Sequence, residues 1–152
     1  LTYSYNNNCI QLADMLQAEL SQIGIDLSIE TMDVLDDSLA AGDYDIAILN
    51  YAMAPIGTPS YFINMLFTTG ASNNYGGYSN DKVDALAAEI GVTADTDKVD
   101  SLTKELSQQV LDDNAFAFVA DQQLIFVYSN KVKGVQINPT EYYLVTNTLK
   151  VD

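Results

Sequence analysis

The feature that constrains this chain most is a short apolar run punctuated sharply on both sides. Ile46-Ala47-Ile48-Leu49 contains no polar side chain; Gly42-Asp43-Tyr44-Asp45 precedes it, and Asn50-Tyr51-Ala52-Met53-Ala54-Pro55-Ile56-Gly57-Thr58 follows. A continuous apolar stretch of strand length between turn residues is the pattern of a strand covered on both faces, as the inner strands of parallel sheets are. The run therefore reads as the central strand of a parallel sheet. Beyond it, Pro55 and Pro59 each lack an amide hydrogen and Gly57 frees the backbone, so the strand cannot continue. Thr58 is placed to cap the next helix, with Pro59 at the first helical position, where a missing N–H costs nothing. In an open parallel sheet the strand-to-helix loop at the carboxyl end is where ligands bind. The working site is expected within residues 51–61.

The rest of the chain fits around that strand. Residues 1–5 alternate as a strand, and Asn6-Asn7-Asn8 supplies acceptors for a helix start. Ile10, Ala13, Leu16, Leu20 and Ile23 then share one helical face, which Gly24 closes. Ile25, Leu27 and Ile29 alternate with Asp26, Ser28 and Glu30, predicting a half-buried second strand. A short helix over 35–41 ends at Gly42. The opening 51 residues are thus β-α-β-α-β, a doubly wound α/β half-sheet with strand order 2-1-3, and its loops at 6–8, 31–33 and 51–58 open on one edge.

After the loop, Phe62, Ile63, Leu66 and Phe67 give a helix its apolar stripe. Val83, Leu86, Ala87 and Ile90 mark a second, capped by Ser79 or Asn80. Val99, Leu102, Leu106 and Val110 mark a longer one, beginning at Asp95 or Thr96 and finishing near Asp113. From Ala115 the period becomes two, predicting strands over 115–120, 124–129, 132–137 and 142–149. No linker interrupts the chain. It reads as one lobe over 1–152, with an α/β core over 1–113 and returning β strands over 114–152.

Charge removes several function classes. Six lysines, no arginine and no histidine stand against 21 acids, a formal charge of −15. Phosphate backbones and anionic lipid surfaces are held by Lys/Arg clusters, so nucleic-acid and anionic-membrane partners are not expected. Without histidine the chain lacks the commonest general base and the commonest transition-metal ligand. A metal here needs carboxylates, carbonyls, waters or a chelator brought by the ligand. Cys9 is single, which precludes an internal disulfide, and it reads as a small core residue. No apolar stretch approaches the ~18 residues of a membrane span. The chain opens directly on a strand, with no signal-like segment, and so reads as a cut-out domain.

No catalytic constellation emerges. Asp95, Asp97 and Asp100 lack the glycine and the glutamate that a calcium loop requires, and fit helix capping. Asp43 and Asp45 precede the strand on the edge away from the ligand side. Gly76-Gly77 has neither the lysine nor the strand-glycine-helix order of a phosphate loop. What remains is a rim of amides and rings that includes Asn50, Asn73 and Tyr78. Its candidate ligand-binding residues are Tyr51, Met53, Thr58, Tyr61, Asn74 and Tyr75, a set suited to reversible recognition of a small polar solute, with no cofactor and no metal ligand among them. The rival readings are a small carboxylate-dependent enzyme domain using Asp33 or Asp36, and a sensor or adhesion module built on the same lobe.

Several stretches together resemble the extracellular solute-binding proteins of ABC importers, in the peptide- and nickel-binding family 5. They are Leu16-Gln17-Ala18-Glu19-Leu20-Ser21-Gln22-Ile23-Gly24-Ile25, the strand entry Gly42-Asp43-Tyr44-Asp45-Ile46-Ala47, Asn74 followed by Gly77-Tyr78-Ser79-Asn80, then Val83-Asp84-Ala85-Leu86 and Val132-Lys133-Gly134. The resemblance implies a periplasmic-binding-protein-like fold in which two lobes close on a solute and deliver it to a membrane permease. This chain matches the C-terminal lobe. The implied protein is a monomer, extracellular and lipid-anchored or periplasmic, and not an enzyme. Tyr51 stands where the family's peptide binders carry a tryptophan, and Ala54 near their aspartate for the peptide amino terminus. Ala54-Pro55-Ile56-Gly57-Thr58-Pro59 is similar to, but longer than, the loop of nickel binders. A metal chelate is therefore implied as readily as a peptide.

Overall fold

A computed structural model describes residues 1–51, 57–121, 125–136 and 146–151, which divide into two units, Leu1–Tyr51 and Ala52–Asp152.

In the first unit, β1 (Thr2–Tyr3) pairs in parallel with β2 (Thr31–Met32). The amides of Thr2 and Ser4 donate to the carbonyls of Glu30 and Met32, at 3.0 and 2.9 Å. The other edge of β1 meets residues 46–48: the Ile48 amide donates to Leu1 O at 2.9 Å, and Thr2 forms a parallel bridge to Ile48. The Thr2 hydroxyl adds a bond to Ile48 O at 3.1 Å, and Thr2 is almost completely buried. The strand order is 2-1-3, all parallel, as the spacing of elements predicts.

Two local expectations need correction. It is β1, not residues 46–49, that has neighbours on both sides among the described residues of this unit. The 46–49 run flanks the ladder, and Ile46 is 41% exposed. An order of 2-1-3 leaves the third strand one partner in the ladder, whatever its apolar content. The second strand, expected over 25–30, is assigned at Thr31–Met32. Before it, Leu27 O accepts from the Gln17 side chain at 2.7 Å and the Ile25 amide donates to Leu20 O, so these residues follow the helix rather than the sheet.

That helix is α1 (Asn7–Ser21), started by Asn6, whose Oδ1 accepts from the amides of Asn8 and Cys9; such a cap contributes about 1 kcal/mol. It buries Cys9 and Ala13, while Ile23, expected inward, is exposed beyond its end. The next helix, α2 (Asp36–Ala41), buries Leu35 and Leu39 at its inner face. It stops at Gly42, whose φ of +74° is the left-handed conformation that glycine adopts without strain.

The second unit is helical where it is described most fully: α3 (Ser60–Leu66), α4 (Asp81–Val92) and α5 (Thr96–Asp112). Asn80 caps α4 and Asp95 caps α5 through their side-chain oxygens. The core is Phe62, Ile63, Leu66 and Phe67 from α3 and its end, Val83, Leu86, Ala87 and Ile90 from α4, and Leu106 and Val110 from α5. Phe67 is its aromatic hub, with Phe62 edge-on at 5.4 Å and Phe116 tilted at 5.3 Å.

Of the four strands expected after Ala115, one appears in part: β3 (Val132–Lys133), paired antiparallel with β4 (Lys150–Val151). Among the described residues, 115–121 and 125–131 form no ladder, and Val127 is 93% exposed. Period-two alternation expresses a preference for a pleated, half-buried surface, and a strand forms only against a neighbour. The centre of the fourth expected strand lies outside the described residues.

Candidate functional site

Parallel topology brings the carboxyl ends of β1, β2 and the 46–48 ladder to one edge of the first unit. Ser4, Tyr5 and Asn6 leave β1 there, Asp33 leaves β2, and Asn50 and Tyr51 follow the ladder. Tyr3, at the end of β1, and Tyr5, in the turn beyond it, hold their rings 5.1 Å apart at 40°. The Tyr3 phenol is pushed up to about 12, by burial first and then by Tyr51, Tyr5 and Asp36. It is neutral at physiological pH, a hydrogen-bond donor with an intact π face. The Ser4 hydroxyl donates to Asp33 Oδ1. Burial also raises the Cys9 thiol, which disfavours the thiolate that a nucleophile needs.

In the second unit, the Ser60 amide reaches Thr58 Oγ1 at 3.4 Å, and the two hydroxyls lie 2.9 Å apart. Pro59 has helical dihedrals, and its carbonyl accepts the first helical bond, from Ile63. Tyr61 is 44% exposed. With Ser60, Asn64, Met65, Ser72 and Asn73 it lines an open depression of about 550 Å³. Its wall is hydroxyl, amide, thioether and ring, without a charge.

Asn74 faces inward. Only 9% exposed, it donates through Nδ2 to Thr68 O at 3.1 Å and Tyr78 O at 2.7 Å, while Oδ1 accepts from the Tyr78 amide at 2.9 Å. Both amide hydrogens are thus spent on closing the 68–78 loop. Tyr75 is half-buried in that loop. Tyr78 extends the network: its hydroxyl and the Asn80 amide each donate to Asp113 Oδ2 at 2.6 Å, and Gln109 donates to Oδ1 at 2.9 Å. The Tyr78 hydrogen bond is the main reason that the Asp113 carboxyl lies below its usual range.

The sequence-derived candidates are therefore divided. Tyr51 belongs to the edge of the first unit, with Tyr3 and Tyr5. Tyr61 lines the depression of the second unit, and Thr58 supports the start of the helix that presents it. Asn74 and Tyr75 belong to the loop beside it, and Met53 lies outside the described residues. Sequence reasoning missed Tyr3 and Tyr5, although two tyrosines at the carboxyl end of a strand expected to open on the ligand edge were a usable signal. It also missed Ser60, Asn64 and Met65, which the i, i+4 spacing of a helix start groups with Tyr61. Among the described residues, no three His, Cys, Asp or Glu side chains converge as metal ligands, and no helix is long and apolar enough to cross a membrane.

Comparison with known proteins gives three kinds of match. Residues 1–74 match the bacterial extracellular solute-binding proteins, family 5, in the region described as middle. The nickel-binding protein NikA of Staphylococcus aureus is 23% identical over 146 residues, 95% of this chain and 30% of that protein. The probable D,D-dipeptide-binding periplasmic protein DdpA of Escherichia coli is 28% identical over 147 residues, 91% of this chain and 28% of that protein. The crystal structure of S. aureus NikA in complex with Ni(L-His)2 superposes with a TM-score of 0.79 at 20% identity, over 99% of this chain and 33% of that one. A nickel ABC transporter structure from Bacillus halodurans gives 0.75 at 23%, over 99% and 32%. Both share the fold, and this chain spans about a third of their length.

Proposed function

We propose that this chain, whose residues 1–74 match the family 5 model and which is similar to NikA and DdpA along most of its length, is not an enzyme but the C-terminal lobe of an ABC importer's substrate-binding component. That component captures a small polar solute between two lobes and delivers it to a membrane permease. Residues 1–152 form the lobe, with 114–152 returning along it. The intact protein works as a monomer outside the cytoplasmic membrane, lipid-anchored or periplasmic.

One observation carries this reading: at the carboxyl edge of the parallel ladder the rings of Tyr3 and Tyr5 lie together, with Tyr51 close enough to act on Tyr3. Tyr51, Met53, Thr58, Tyr61, Asn74 and Tyr75 are the proposed site residues, Asn74 without direct contact to the solute. Asn74 acts by holding its loop in shape, and Tyr51 and Tyr61 by offering ring faces and phenol tips. The solute is a peptide or a metal chelate. A metal cargo would arrive with its own ligands, since this chain has no histidine.

Isothermal titration calorimetry of the full-length protein with Ni(L-His)2 and with D-Ala-D-Ala tests the reading. Saturable binding of either probe, weakened about tenfold by Tyr51→Ala, supports it; losing one aromatic contact in a desolvated site has that magnitude. Heat from neither probe, together with no co-purifying solute in native mass spectrometry, would remove it.

A further inference from the structure

The 2-1-3 order has a physical consequence at one point of the first unit. Going from β1 through α1 the chain steps to β2, then through α2 it returns past β1 to the 46–48 ladder. The switch point of such a sheet is the crevice between β1 and the third strand, at their carboxyl ends. The residues that issue there are aromatic: Tyr3 at the end of β1, Tyr5 just beyond it, and Tyr51 after the third strand. We propose that Tyr3, Tyr5 and Tyr51 form an aromatic subsite at this switch point that takes a positively charged side chain of the solute, of lysine-ammonium or arginine-guanidinium type, over their ring faces. The inference rests on the solute-binding reading and narrows its substrate class.

Three observations support it. First, the Tyr3 and Tyr5 rings are already assembled, 5.1 Å apart at 40°, yet Tyr5 remains 67% exposed. A paired ring facing solvent offers a π face that a cation within about 6 Å of the centroid is drawn to. Second, the charge of this unit is one-sided: Leu1–Tyr51 contains nine of the 21 acids and none of the six lysines. Asp33 hydrogen-bonds to Ser4 between the two tyrosines, and Asp36 is close enough to act on Tyr3. A field of one sign concentrates cations near the surface that carries it and repels carboxylates from it. Third, Tyr3 remains protonated, so it acts through its ring and its O–H and not as an anionic ligand.

Calorimetry of the full-length protein with the matched dipeptides Ala-Lys, Ala-Gln and Ala-Glu, alongside Ni(L-His)2, tests the subsite. Ala-Lys should bind tightest and Ala-Glu at least about tenfold more weakly, while Tyr5→Leu should weaken Ala-Lys about fivefold and Tyr5→Phe should leave it within about twofold, as a ring-face contact requires. Because Tyr5 is mostly exposed, neither variant should alter the melting temperature appreciably, and that is measured in parallel. Equal affinity for Ala-Lys and Ala-Glu, or an unchanged affinity of Tyr5→Leu for Ala-Lys, overturns the subsite and leaves solute binding standing. Binding of Ni(L-His)2 with none of the peptides does the same. Binding of none of the four probes overturns both.

Discussion

The Asn74 amide closes its loop from inside, and its neighbours show what that closure is worth. Asn74→Ala strands the Tyr78 amide and two backbone carbonyls without their partner, and leaving such groups unsatisfied costs about 1–3 kcal/mol. Urea denaturation should show the loss; an unchanged midpoint would contradict the staple. The Tyr78–Asp113 bond predicts two pH arms. Asp113 titrates below its ordinary range, so its contribution is present above the usual aspartate pKa of about 4 and is lost as pH falls through the lowered value. Tyr78 is raised to about 12, by burial first and then by Asp113. Its contribution is therefore present below about 10 and is lost between there and about 12. Melting temperature against pH should decline on both arms, and Tyr78→Phe should flatten both; identical profiles would refute the pairing. The sequence marked Asn74 and Tyr78 as notable but not their direction. An asparagine in a glycine-rich loop can point either way, and turn geometry decides.

Helices were legible because caps and period agree. Asn6, Asn80 and Asp95 stand where their side chains accept the first free amides, and the apolar positions of α4 and α5 fall on the faces that meet. Leu106 is fully buried between them, so Leu106→Ala should cost about 2–5 kcal/mol by thermal or urea unfolding; a loss under about 1 kcal/mol would mean that the packing is wrong. Lys82–Glu105 at 2.9 Å and Lys98–Glu89 at 2.6 Å join the same helices but are about half exposed, and solvent screening leaves them little to contribute. Strands were less legible. The runs 115–121 and 125–131 have the right alternation but no ladder among the described residues, because pairing depends on a neighbour that a local pattern does not encode. Where a pair does form, at β3 and β4, Gly134 is its weak point. Its φ is +71°, and a Cβ there would collide with the Thr148 carbonyl. Gly134→Ala should speed amide exchange at Val132 and Val151; unchanged protection would contradict the close approach.

At the scale of the whole molecule, the opening β-α-β-α-β was readable from spacing alone, down to strand order, because crossover handedness leaves few alternatives. The assignment of the centre was not. An apolar run implied the middle of the sheet, whereas hydrogen bonding from Thr2 and Ser4 gives that position to β1 in the first unit. The proposed binding edge does not depend on this change, since it rests on parallel direction and not on which strand is inner. The most direct measurement of that edge is hydrogen–deuterium exchange of the full-length protein with and without a saturating solute established by calorimetry. Added protection concentrated at residues 3–8 and 50–61 is the predicted result. Protection confined to α4 and α5, or none within this chain, would contradict it.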